Sequence, residues 1–209
     1  MDALALSNIQ QDLKNLLINH ILQAEEEDDI GVSFLAPDKD FIASLGASPM
    51  VNCYLIGVDE DKKRRQSEPP RSQLNKEKTQ RIRQYEPRFV DISYMLTVWS
   101  RDKTNGAEIE HLMLGYLLSG LGASDFFPGV ELDSPRYEAA LYGVRMTLFG
   151  SEYADKVSGQ VWQAMGATPK PCIMLSLSVP IDVRNERTLP IVTEIERATS
   201  NTAPNPEGT

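Results

Sequence analysis

The chain has 209 residues, of which 41% are hydrophobic and 24% charged, an ordinary globular composition that excludes collagen-like, fibrous and disordered classes and allows one sizeable core. No run approaches the roughly 20 apolar residues of a membrane-spanning helix, and the start Met1-Asp2-Ala3-Leu4 has neither a basic segment nor a cleavage site, so assembly in the cytoplasm is expected. The charge is uneven: ten basic residues face four acidic ones between Asp61 and Arg88, a net +6, while the remainder carries 11 against 26, a net −15, within a total of −9.

Residues 2–26 place Leu6, Ile9, Leu13, Leu16, Leu17 and Ile21 at spacings of three and four, the stripe of an amphipathic helix. The run Glu25-Glu26-Glu27-Asp28-Asp29 opposes the negative end of its dipole and should fray it. A short strand over 32–35, an irregular connection over 37–49 and a central strand over 51–58 follow. From 59 to 88, Pro69-Pro70 and only Leu74 and Ile82 as large aliphatic residues predict a long charged loop.

Residues 89–99 alternate, with Val90, Ile92, Tyr94, Leu96 and Val98 against Asp91, Ser93, Met95 and Thr97, the pattern of a half-buried strand. After a turn at Asn105-Gly106, a second helix carries Ile109, Leu112, Met113, Tyr116 and Leu117 and ends at Gly120-Leu121-Gly122. A strand over 141–149 uses Tyr142, Val144, Met146 and Leu148. Past Gly150-Ser151, a third helix is built on Tyr153, Val157, Val161, Trp162 and Met165 and stops at Gly166. In the last strand Ile173, Leu175, Leu177, Val179, Ile181 and Val183 alternate with Ser176, Ser178 and Asp182, and Pro180 on the polar phase predicts that the strand lies at a sheet edge or leaves the sheet there. The pattern gives an α+β fold, a mostly antiparallel sheet of about four strands covered on one side by three helices. One domain is expected over 1–184, with the charged loop 59–88 inserted and 185–209 as an extended tail.

Chemistry is hard to find. His20 and His111 belong to no local constellation, and Glu108 and Glu110 beside His111 lack metal-binding spacing. The acidic run at 25–29 lacks the alternation of a calcium loop. Walker, dinucleotide and nucleophile-elbow motifs are absent from the sequence, so no catalytic residue, cofactor or metal is assigned, and the chain is read as not an enzyme. Cys53 and Cys172 lie in strand-like sequence and read as small buried hydrophobes. The basic residues Lys62, Lys63, Arg64, Arg65, Arg71, Lys76, Lys78, Arg81 and Arg83 could neutralise phosphates, which keeps a nucleic-acid-binding accessory protein using 62–83 as the alternative. Only Tyr85 and Phe89 offer stacking surfaces nearby and the body is acidic, so docking on an acidic neighbouring subunit is preferred.

Val51-Asn52-Cys53-Tyr54-Leu55, then Tyr94-Met95-Leu96-Thr97-Val98-Trp99 followed by Glu110-His111-Leu112-Met113-Leu114-Gly115, resemble the tail-terminator or cap family of extracellular contractile injection systems, the phage-tail-like group that includes the antifeeding prophage. Gln160-Val161-Trp162 before Cys172-Ile173-Met174-Leu175-Ser176-Leu177-Ser178-Val179 continues the resemblance, which spans residues 4–184. The loop 59–88 departs from it, being longer and more basic. The resemblance implies a structural protein forming a ring of six copies, seated on the last layer of the inner tube and joined to the end of the sheath. Its partners would be itself, the tube protein and the sheath protein, in a particle assembled in the cytoplasm and then released or membrane-anchored. On that reading the nine basic residues are ring-interface candidates. Ile173, Leu175, Leu177, Val179, Ile181 and Val183 are the candidates for pairing with a sheath strand.

Overall fold

The computed structural model describes residues 4–22, 30–65, 71–76, 80–84, 88–128, 143–149, 159–181 and 186–190. In chain order its elements are α1 (Ala5–Leu16), β1 (Gly31–Ser33), α2 (Lys39–Ser44), β2 (Met50–Glu60), β3 (Arg71–Leu74), β4 (Gln80–Gln84), β5 (Arg88–Trp99), α3 (Gly106–Gly122), β6 (Arg145–Leu148), α4 (Gly159–Met165), β7 (Cys172–Ile181) and β8 (Glu186–Pro190). Two compact units result, Met1–Ser67 with Pro87–Val183 and Glu68–Glu86 with Arg184–Thr209.

The first unit is built on a five-stranded sheet in the order β1-β2-β5-β7-β6. β1 runs parallel to β2 and the other pairs are antiparallel. The alternation in β5 decides its front face: Ile92, Tyr94, Leu96 and Val98 join Val51 and Cys53 of β2, Met146 of β6 and Ile173, Leu175, Leu177 and Val179 of β7 in one core. Ile9, Leu13 and Leu16 of α1 and Met113, Leu117 and Leu121 of α3 cover it. α1 runs on into a π turn, Leu17–Ile21, and there α3 comes close. A Cβ on Gly120 would lie 2.7 Å from the Ile21 side chain, so glycine is the residue that permits this approach.

The expectation of a half-buried β5 under helices on one side only is corrected. Met95 and Trp99, on the back face, are buried with Met174 beneath Phe41, Leu45 and Trp162. The cause lies in two short helices, one of them unforeseen. α2 occupies part of the predicted irregular stretch, started by Asp38, whose carboxylate accepts from the Phe41 N–H at 2.9 Å. It lays Phe41 edge-on against Trp99, ring centroids 5.6 Å apart. α4 adds Trp162 and ends at Gly166, φ +71°, where Ala167 N–H donates to Trp162 O at 3.1 Å and Gly166 N–H to Gln163 O at 3.0 Å, a Schellman closure. Tyr142, Tyr153, Val157 and the proposed break at Gly150-Ser151 lie outside the described residues.

β7 is likewise not the expected edge. β5 pairs with it along its whole length and β6 takes its other side from Leu175 to Ser178. Ile173, Leu175, Leu177 and Val179 are therefore core side chains; Ile181 is half-buried and Val183 lies outside the described residues. Pro180 sits opposite Phe89, beyond the end of β6, and there a residue without an N–H leaves no donor missing on the open side.

The second unit has strands where a loop and a tail were expected. β3, β4 and β8 form an antiparallel sheet in that order, with Gln73 opposite Ile82 and Ile82 opposite Thr188. These strands carry few apolar residues, and the third arrives from far along the chain, so a backbone ladder rather than a hydrophobic pattern defines them.

Candidate interaction cleft

The back face of the five-stranded sheet changes character along its length. Past Met95 and Met174 the register continues with Ser93 opposite Ser176 and Asp91 opposite Ser178. β6 extends the rows with Thr147 and Arg145, and β2 sets Asp59 opposite Asp91. Over these rows the chain leaves β2 through Glu60, Asp61 and a 3₁₀ turn, Lys62–Arg64. Floor and turn enclose a polar cleft of about 310 Å³.

The acidic groups of the cleft have partners within the fold. Asp61 caps the turn, its Oδ1 accepting from Lys63 N–H at 3.0 Å and Arg64 N–H at 3.2 Å, while its Oδ2 accepts from the Ser178 hydroxyl at 2.7 Å. The Ser176 hydroxyl donates to Asp91. Glu60 meets Arg65 at 3.5 Å, and Asp59 is engaged as well.

Arg64 is held inside. Its guanidinium donates to Ser178 O and Oγ, both at 3.2 Å, and to Gly143 O at 3.1 Å, and stands 3.8 Å over the Phe89 ring. Partial burial lowers its pKa, Asp61 opposes that shift and Arg145 adds to it. Lys62, Lys63 and Arg145 are exposed at the cleft.

The nine basic candidates thus part company. Lys62, Lys63, Arg64 and Arg65 belong to the first unit, and Arg71, Lys76, Arg81 and Arg83 to the second. Lys76 and Arg81 are exposed, and Lys78 lies outside the described residues. Sequence patterning could not single out Arg64, whose partners are set by strand register. Nor could it find Arg145, Asp91 and Ser176 as cleft residues, since only the register aligns them with the turn. A second polar tie joins α3 to the sheet: Glu110 pairs with Lys170 and accepts from Ser100 N–H at 3.0 Å, and the ammonium lies 4.8 Å from the Trp99 ring centre.

His20 and His111 are exposed, and among the described residues no three His, Cys, Asp or Glu are grouped to hold a metal ion. Burial raises the Cys53 thiol far above its usual value and pushes Tyr94 up to about 12, with Cys53 contributing.

Residues 8–194 match the Pvc16 N-terminal domain model. The chain belongs to that family. The fold agrees: a structure described as a PVC sheath/tube terminator of an extracellular contractile injection system, in the extended state, superposes with a TM-score of 0.63 at 16% identity, covering 98% of this chain and 66% of that one. The anti-feeding prophage cap, a tube-terminating cap, gives 0.60 at 14% identity, covering 92% and 61%. The chain therefore spans just under two thirds of the length of these structural relatives. No curated protein matches it. The family and the fold agree with the terminator or cap resemblance read from the sequence.

Proposed function

We propose that this chain is a structural cap of a contractile injection particle, closing the inner tube and joining the last sheath layer as a ring of six copies, without enzymatic activity. The observation that carries the reading is the Pvc16 N-terminal domain match over 8–194 together with the fold shared with a sheath/tube terminator and a tube-terminating cap. The cleft, with its paired acids and held guanidinium, supports contact-making rather than turnover. Its partners on this reading are its own copies, the tube protein and the sheath protein. Sheath pairing by main-chain addition requires a strand other than β7 in the first unit, where the outer strands among the described residues are β1 and β6.

Electron microscopy of particles made without the protein tests the reading. Tubes of uncontrolled length and sheaths without a firm end are expected. Particles of normal length with sealed ends would overturn it.

A further inference from the structure

We propose that the back-face cleft is a carboxylate receptor in which Lys62, Lys63 and Arg145 take an acidic side chain from a second copy of this chain. The inference deepens the ring reading and rests on it for the partner's identity.

Counting formal charges hides the preference, because Asp59, Glu60, Asp61 and Asp91 line the cleft alongside the three cations. Their engagement separates them. Asp61 is consumed by the turn and by Ser178, Asp91 by Ser176 and Glu60 by Arg65, and Asp59 is engaged too. The side chains of Lys62, Lys63 and Arg145 have no hydrogen-bond or ion-pair partner among the described residues. Arg64 commits its donors to Ser178 and Gly143 and is not available to an incoming acid. Arg145 lies close enough to lower the Arg64 pKa, against the opposing pull of Asp61, so two guanidinium groups share this corner. The cleft side chains left without a partner are therefore the basic ones.

The turn fixes where two of them are carried. Asp61 and Arg64 clamp both ends of the 3₁₀ turn to β7, so Lys62 and Lys63 are carried on a fixed support instead of a free loop. An anion entering there meets two ammonium groups and a guanidinium fork. A second copy suits the site by charge, since outside residues 61–88 the chain carries 26 acidic residues against 11 basic ones. A head-to-tail contact needs such a pair of unlike patches on each subunit.

Zero-length carbodiimide coupling, which condenses a lysine amine with a touching carboxylate as water is lost to the reagent, tests this on an equal mixture of ¹⁴N- and ¹⁵N-labelled protein. Amides joining Lys62 or Lys63 to an acidic residue in mixed-isotope peptides are expected. Between-copy amides only at other lysines would overturn the receptor while leaving the ring reading standing; a monomeric mass with no between-copy product would overturn both. The triple variant Lys62→Glu, Lys63→Glu, Arg145→Glu should weaken self-association at least about tenfold and remove its salt dependence, with the melting temperature unchanged. Self-association equal to the unsubstituted chain would overturn the proposal. Salt-sensitive duplex DNA binding lost in the triple variant while self-association persists would replace it with the nucleic-acid reading.

Discussion

Along a single face, β5 and β7 pass through two environments. At one end Trp99, Met95 and Met174 lie dry beneath Phe41, Leu45 and Trp162; at the other Ser93, Asp91, Ser176 and Ser178 line an open cleft. Strand register is unbroken between them, so the backbone does not make the difference. It is made by what rests on the face: two short helices with aromatic side chains at one end, and a charged turn pinned by an arginine at the other. The comparison teaches a division of labour in which one end stabilises the sheet and the other leaves charged side chains exposed.

The sharpest way to break that comparison is to truncate its dry end. Trp162→Ala should cost about 3–5 kcal/mol, read as a lowered midpoint in urea or thermal unfolding. Arg64→Ala comes next, at about 1.5 kcal/mol, because Ser178 O and Gly143 O lose a charged donor while partial exposure lets water replace some of it. Arg64→Lys should recover only a fraction, since an ammonium cannot fork between the two carbonyls. Ser176→Ala, which takes the hydroxyl donor from Asp91, should cost about 1 kcal/mol. Lys63→Ala should stay within about 0.5 kcal/mol of the unsubstituted chain in calorimetry. A Lys63→Ala loss rivalling that of Trp162→Ala would end the comparison, because the charged end would then be part of the stabilising core.

The sequence revealed most where burial is one-sided. The even positions of β5 and the odd positions of β7 face the main core, and period-two alternation marks that directly. Met95 and Trp99 were harder to place because α2 has one buried apolar side chain, Phe41, and its start is written only in Asp38. β3 and β4 left almost no trace: Arg-Ser-Gln-Leu and Gln-Arg-Ile-Arg-Gln read as solvated chain until they pair with each other and 186–190 arrives to pair with β4. Pro180 pointed to an edge and was half informative, since it marks where β6 stops beside a strand that continues inside the sheet. The basic run showed where charge gathers. Which of its members remains free is a matter of register and reach, and Arg64, looking like its neighbours in sequence, is the one the fold uses internally.

The two thiols carry a consequence for handling. Cys53 faces the main core beside Leu96, and Cys172 opposes Thr97 one step along the same neighbour strand, so their side chains leave opposite faces of the sheet and cannot bridge within one molecule. Burial keeps Cys53 protonated well into alkali, and the thiolate is the form that oxidants and alkylating reagents attack. A single maleimide is therefore expected to label the folded chain at Cys172 alone, and passage from reducing to oxidising surroundings leaves the interior of the sheet chemically silent.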